Sequence, residues 1–348
     1  MLKLEREAIF IASPISMHIA IIGAGLAGLS CARELSVARH TVTVYEKHED
    51  AGGRSRTCQT ELGGFDYGAQ YFTARSEAFQ KRVNAWRKAG WVAPWSGKLV
   101  TINAEGARPA GRDQQRLVAV PGMGALAQQL ALGLDLRRGQ RVNAIAANGA
   151  QWLLKVESDT VPIEASAGPF DAVILAMPAD QAALLLESAP APELAAQAAQ
   201  IKMAPCWSLM LAFPEALGLR YDGAWLDGGR LAWIAHDASK PQRRPGEHWV
   251  AHAGAEWSRE HLLDDPERVK EKLLRAFHEA TGTAMQPVHA ALHRWPYAQA
   301  QQTLPGLFLW DRERRIGACG DWFDCGLEGA GRIENACLSG VALAGAIE

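Results

Sequence analysis

Hydrophobic periodicity changes twice near the start of the chain. His18-Ile19-Ala20-Ile21-Ile22 is an unbroken run rich in β-branched residues, which predicts a strand covered on both faces, as in a parallel sheet. After a glycine-rich break, Leu26, Leu29, Ala32, Arg33 and Leu35 set a mostly apolar stripe at helical spacing. Thr41-Val42-Thr43-Val44-Tyr45 then predicts a second strand. Further along, Arg141-Val142-Asn143-Ala144-Ile145 reads as a strand, and Phe170-Asp171-Ala172-Val173-Ile174-Leu175-Ala176-Met177-Pro178 as a buried strand closed by a breaker. Ile316-Gly317-Ala318-Cys319-Gly320-Asp321 reads as the last strand. The helix after it is predicted to bury Ile333, Ala336, Cys337, Gly340, Val341 and Ala344.

The break between the first strand and helix is Gly23-Ala24-Gly25-Leu26-Ala27-Gly28. Gly23 permits the turn, Gly25 lets backbone approach a pyrophosphate, and Gly28 lets the helix pack close to the strand. The helix N-terminus turns unsatisfied N–H groups and a partial positive charge toward the phosphates. Glu46 ends the second strand at the interval where a carboxylate binds ribose hydroxyls, and its charge disfavours a 2′-phosphate. Soon after Glu46 and Lys47, Gly52-Gly53-Arg54 offers more backbone and a cation to a longer cofactor, which separates FAD from NAD.

Composition narrows the setting. The 348 residues suit about two domains. A formal net charge of −2 argues against nucleic-acid binding. Six cysteines without paired or zinc-like spacing fit reduced thiols in a cytoplasmic protein and no metal site. The apolar stretch over residues 8–32 is interrupted by Pro14 and His18, which argues against a membrane span. Residues 1–16 read as a loose extension, with the domain opening at Met17.

The Gly-rich turn, Glu46 and Gly52-Gly53-Arg54 together resemble the flavin-containing amine oxidase superfamily. The resemblance implies noncovalent FAD on an α/β fold: a Rossmann-type FAD-binding domain with a second domain of β-sheet plus helices. It places Val142 near the adenine, Ala176 beside the cofactor, and Gly320 and Asp321 where the carboxylate accepts from a ribityl or phosphate-side hydroxyl. It also sets Arg332 and Ile333 at a helix N-terminus facing the flavin, where negative charge accumulates on reduction.

A narrower resemblance covers nearly everything from Met17 onward. Asp66-Tyr67-Gly68-Ala69-Gln70-Tyr71-Phe72-Thr73-Ala74-Arg75, Val120-Pro121-Gly122-Met123, a Trp-rich centre including Ser239-Lys240-Pro241, His293-Arg294-Trp295-Pro296-Tyr297-Ala298 and Gly320-Asp321-Trp322 resemble the bacterial renalase family. That resemblance implies an oxidase converting 2- or 6-dihydro isomers of NAD(P)H to NAD(P)⁺, with O2 as acceptor and hydrogen peroxide as product. One departure is a long loop, residues 323–330, expected near the flavin.

The domain reading assigns 17–76, 121–180 and 315–348 to FAD binding, and 77–120 with 181–314 to a substrate domain roofing the flavin, as a monomer or homodimer. Gln70, Tyr71, Trp295 and Tyr297 are the candidates for the flavin edge and pocket wall. His236, His252 and His293 invite a catalytic reading against a structural one, and Arg294 or Lys240 could hold a substrate phosphate. Two other functions stay open. One is an amine oxidase; the other is a non-enzymatic escort on a similar fold, as in Rab GDP-dissociation inhibitors.

Overall fold

The computed structural model describes residues 16–111, 114–158, 165–327 and 329–347. Apart from Ser16, the expected N-terminal extension lies outside them. Strand β1 (His18–Ile22), helix α1 (Leu26–Val37) and strand β2 (Thr41–Tyr45) form the βαβ start that the periodicity predicts. β1 is the centre of a six-stranded sheet, pairing in parallel with β2 on one side and with Ala172–Leu175 on the other. Beyond Ala172–Leu175 come the parallel strand Ile316–Ala318 and the antiparallel edge strand Leu309–Asp311. Beyond β2 comes Asp135–Arg137.

The unbroken apolar runs follow from that central position. Ile19, Ile21, Ala172 and Ile174 face one core, shared with α1 and the C-terminal helix Ile333–Ile347. Ala20, Ile22, Val173 and Leu175 face the other, shared with the helices Ala179–Glu187 and Pro192–Ala198. Alternate residues of one strand thus serve two cores, which leaves no position for a polar side chain.

A seven-stranded sheet lies against this unit. Its order is His289–Ala300, Met203–Phe213, Glu247–Ala253, Leu231–His236, Gly223–Leu226, Leu99–Asn103, Gly106–Pro109. The parallel pairing of Gly223–Leu226 with Leu99–Asn103 joins the two separate stretches that the sequence assigns to a second domain. In Met203–Phe213, Trp207, Leu209, Leu211 and Phe213 face the helix Pro266–Thr281, whereas Met210 and Ala212 face Phe65 and Tyr67. Leu309–Asp311 also falls within the stretch read as second domain, yet it extends the six-stranded sheet.

The C-terminal helix differs from its predicted face. Cys337, Gly340 and Ala344 are buried, but Ile333, Ala336 and Val341 are only half-buried, while Glu334, Asn335 and Ser339 are buried. Local bonding explains the polar burial. Glu334 accepts from the Arg75 and Ser76 backbone N–H groups at 2.9 and 2.8 Å and from the Ser76 hydroxyl at 2.6 Å. Ser339 Oγ accepts from Gly320 N at 3.0 Å, and Asn335 Nδ2 donates to the Phe323 carbonyl at 3.0 Å.

Candidate cofactor and substrate cleft

The Gly-rich turn is shaped by close approach. Gly23 adopts φ +111°, and a Cβ there would sit 2.4 Å from the Ala176 carbonyl oxygen. At Gly28 it would sit 2.1 Å from the Gly23 carbonyl oxygen, so only glycine lets α1 start this close to the sheet. Gly25 has ordinary dihedrals and nothing within 4 Å of a built Cβ, so its Cα face opens into the cleft. Ala24 is buried, and its N–H donates to Glu46 Oε2 at 3.0 Å. His48 N donates to the other Glu46 oxygen at 3.0 Å, so backbone fixes this carboxylate at the groove wall.

Two cavities meet in front of this turn. The narrower, about 550 Å³, is lined by Gly23, Gly25, Leu26, Ala27, Glu46, Lys47, Gly53, Val142, Ala176, Gly320 and Tyr297. The wider, about 1020 Å³, is lined by Gln70, Tyr71, Cys206, Trp225, Trp233, His252, Arg332 and Ile333. Leu26, Arg54, Trp295, Asp321 and Ala336 line both, so the two run into one cleft. Nearly all the residues predicted to bind cofactor therefore converge. Ala24 and Gly28 do not line the cleft; they support the turn from behind. Tyr297 lies in the narrow groove, apart from the wide cavity where Gln70 and Tyr71 sit.

At the junction, Arg54 donates to both Asp321 oxygens, at 2.9 and 2.7 Å, and to the Ala298 carbonyl at 3.1 Å. Trp295 is fixed beside them: its Nε1 donates to the Tyr67 carbonyl at 3.1 Å and its ring stacks on Tyr67 at 5.0 Å. Gln70 is held by its own amide, donating to the Asp66 and Gly68 carbonyls and accepting from Lys240 at 3.3 Å. Burial pushes the Tyr71 hydroxyl up, and the adjacent Arg116 guanidinium opposes that shift.

The narrow groove gathers three cations that composition did not signal, Arg56, Lys47 and Arg141, beside the neutral His48 and His293. His48 is pushed down to about 4 by burial and by Arg56, Lys47, Arg141 and His293. His293 falls to about 4 through burial and Arg56. Lys47 is lowered by burial first, then by Arg141 and Arg56. Such crowding of like charge is relieved by an anion. With the open face at Gly25 and the fixed Glu46, it fits a pyrophosphate joined to a ribose. Arg56, His48 and Arg141 were missed in the sequence because nothing in their spacing marks them.

Lys240 does not face the cleft. Its side chain is fully buried, paired with Asp237 and, at 3.2 Å, with Asp66, which Arg243 also meets at 2.6 Å. Burial pushes Asp66 up, but Lys240 and Arg243 outweigh it and hold the carboxyl below its usual range. A lysine whose one charge is shared between two buried carboxylates cannot hold a substrate phosphate, which corrects that reading. Arg294 rests over the Trp207 ring at 5.7 Å and donates to the Leu262 carbonyl at the groove rim. Of the three histidines, His236 bonds to the Gly246 carbonyl and stacks on Trp249, away from the cleft. His252 lines the wide cavity, donates from Nε2 to the Tyr67 carbonyl at 3.2 Å, and is pushed down to about 4 by burial and Lys240, so it is neutral at pH 7. The long loop does reach the site, since Gly329 and Ala330 line the wide cavity. Among the described residues no cluster of metal-ligating side chains occurs, and no helix is long and apolar enough to cross a membrane.

Residues 21–86 match the model of an NAD(P)-binding Rossmann-like domain, and residues 97–347 that of the flavin containing amine oxidoreductases. Among solved structures, the chain is similar to a provisional protoporphyrinogen oxidase from Exiguobacterium (TM-score 0.74, 14% identity, 96% of this chain and 99% of that one). It is similar also to cyclohexylamine oxidase from Brevibacterium oxydans (TM-score 0.71, 14% identity, with the same coverage of 96% and 99%). At these identities the likeness shows the fold. A curated relative, the L-amino-acid oxidase of Gloydius blomhoffii, is 52% identical over 48 residues, 14% of this chain and 10% of that protein. The match to the curated relatives spans between 9% and 17% of their length.

Proposed function

Because the chain belongs to the flavin containing amine oxidoreductase family and FAD is its cofactor, we propose that it is an oxidase removing hydride from a C–H bond next to nitrogen in a small organic donor. One observation carries the proposal: a groove suited to a dinucleotide opens, at Arg54, Asp321 and Trp295, into a cavity walled by Tyr71, Trp225 and Trp233. When bound, FAD would supply the two-electron acceptor, with oxygen as the final acceptor and hydrogen peroxide as the product.

The chain's own part is to bind and orient. Gly23, Gly25, Leu26, Ala27, Glu46, Lys47, Gly53, Arg54, Val142, Ala176, Gly320 and Asp321 would hold the dinucleotide. Gln70, Tyr71, Arg332 and Ile333 would face its flavin end. Flat aromatic walls hold a flat donor and exclude water, which positions the reacting carbon without an acid or base. The neutral His252 agrees with that economy. Cys319 is buried, and Cys325 points its thiol at the Asn335 carbonyl, which supports noncovalent attachment.

Two donors share the required bond. The relatives named for amines and L-amino acids favour an amine-type donor. The 2- and 6-dihydronicotinamides rest on the renalase-like motifs, with the pairing of both carboxylates among the wide cavity's described residues in their favour. Anaerobic mixing of the yellow protein with amines, L-amino acids, both dihydronicotinamide isomers and ordinary NADH separates them. The flavin should bleach with at least one donor carrying C–H beside nitrogen. Bleaching by NADH alone, whose hydride lies across the ring from nitrogen, would overturn the proposal, as would a colourless protein that takes up no FAD.

A further inference from the structure

On the wall of the wide cavity, Trp233 is only 7% exposed and its buried Nε1–H has no acceptor. Its ring meets Trp225 at 4.8 Å and lies 6.0 Å from Tyr71. The Arg116 guanidinium is held against the same group, 5.5 Å from the Trp225 ring and 5.8 Å from the Tyr71 ring. One bond from Nη2 goes to the Gly111 carbonyl at 3.1 Å.

No carboxylate neutralises Arg116 among the described residues. Among the described residues, the two carboxylates that line the cavity are committed elsewhere: Asp321 is bound twice by Arg54, and Glu334 accepts three bonds from Arg75 and Ser76. A further donor of Arg116 meets the Tyr71 hydroxyl, and the donors left over on its planar fork suit an oxyanion.

We propose that Arg116, seated against the Trp225 and Tyr71 rings on the cavity wall, anchors an anionic oxygen group of the substrate, a carboxylate or a phosphate. The assignment rests on the reading of the cleft as an FAD oxidase and sharpens its substrate class. A cationic alkylamine is repelled at this wall, whereas an amino acid or a phosphate-bearing donor is retained.

The test is a titration of the FAD-loaded protein at constant ionic strength with nicotinate, inorganic phosphate and neutral nicotinamide, followed by tryptophan fluorescence and flavin absorbance. Wild type should give a saturable response to nicotinate or phosphate. Arg116→Gln should weaken that response about tenfold or more, and Arg116→Lys, which keeps the charge but not the fork, should fall between them. Nicotinamide should not distinguish the three proteins. Tighter nicotinate binding assigns the group as a carboxylate; tighter phosphate binding assigns it as a phosphate. Equal anion affinity in wild type and Arg116→Gln, or no saturable response to either anion, overturns the proposal. Tryptophan fluorescence does not need the flavin, so an anion response from a protein that takes up no FAD would sink the oxidase reading and leave the anion site standing.

Discussion

Arg54 and Asp321, 267 positions apart, are joined by two hydrogen bonds at the point where the two halves of the cleft meet. One partner follows the second β-strand of the chain and the other follows the strand Ile316–Ala318, so this pair closes the proposed cofactor groove across its length. Removing Asp321's charge should leave a partly buried guanidinium without its match. Asp321→Asn is expected to cost about 1–3 kcal/mol in chemical denaturation. Arg54→Lys, which loses the fork geometry, should weaken FAD binding by roughly tenfold or more in a fluorescence titration.

The glycines of the turn should separate folding from binding. Gly23→Ala meets both a positive φ and a carbonyl oxygen at 2.4 Å, so a loss of about 1–3 kcal/mol is expected without any cofactor present. Gly25→Ser meets nothing in the protein and sits at the N-cap of α1, where serine is favoured. Its apo melting temperature should hold or rise while FAD affinity falls. Equal FAD affinity in Gly25→Ser and wild type would show that the cofactor does not approach this turn.

The interior cluster of Asp66, Asp237, Lys240 and Arg243 is balanced as it stands. Lys240→Met leaves two buried carboxylates against one guanidinium, with an expected loss of about 3–5 kcal/mol. Adding Asp237→Asn restores the balance and should recover part of that loss. If the double variant is no more stable than the single, the pairing does not carry the stability.

Acid should act through His252. Its pKa lies at about 4 in the folded chain against an ordinary 6.5, so between those values the unfolded state binds more protons. Stability therefore rises with pH across that window and falls as the solution is acidified from 6.5 to 4. His252→Asn should flatten the slope of unfolding free energy against pH by up to one proton. An unchanged slope would place the acid sensitivity elsewhere, with His48 or His293.

The lining of the narrow groove was readable in the sequence because its signals are local. A strand buried on two faces must be apolar throughout, a tight turn against Ala176 must be glycine, and a carboxylate anchored by neighbouring N–H groups must follow the next strand. The substrate half was not readable in the same way. Asp66 meets Lys240 and Arg243 across 174 and 177 positions, and no periodicity encodes such a meeting. Arg116 lies in an unremarkable stretch and gains meaning only once Tyr71 and Trp225 are folded beneath it. The buried polar face of the C-terminal helix escaped for a related reason, since Glu334 owes its place to backbone N–H groups of Arg75 and Ser76.

That helix also constrains when the protein can become functional. A Cβ at Gly340 would sit 2.1 Å from the Ala27 carbonyl oxygen, so α1 and the helix Ile333–Ile347 press together behind the first glycine turn. A ribosome delivers α1 early and this helix more than three hundred residues later. Until it arrives, one face of α1 stays bare, Arg54 lacks Asp321, and the groove has no far wall. Cofactor capture is therefore a late event in biosynthesis, and a nascent chain stalled before residue 316 should present the glycine turn yet retain no flavin.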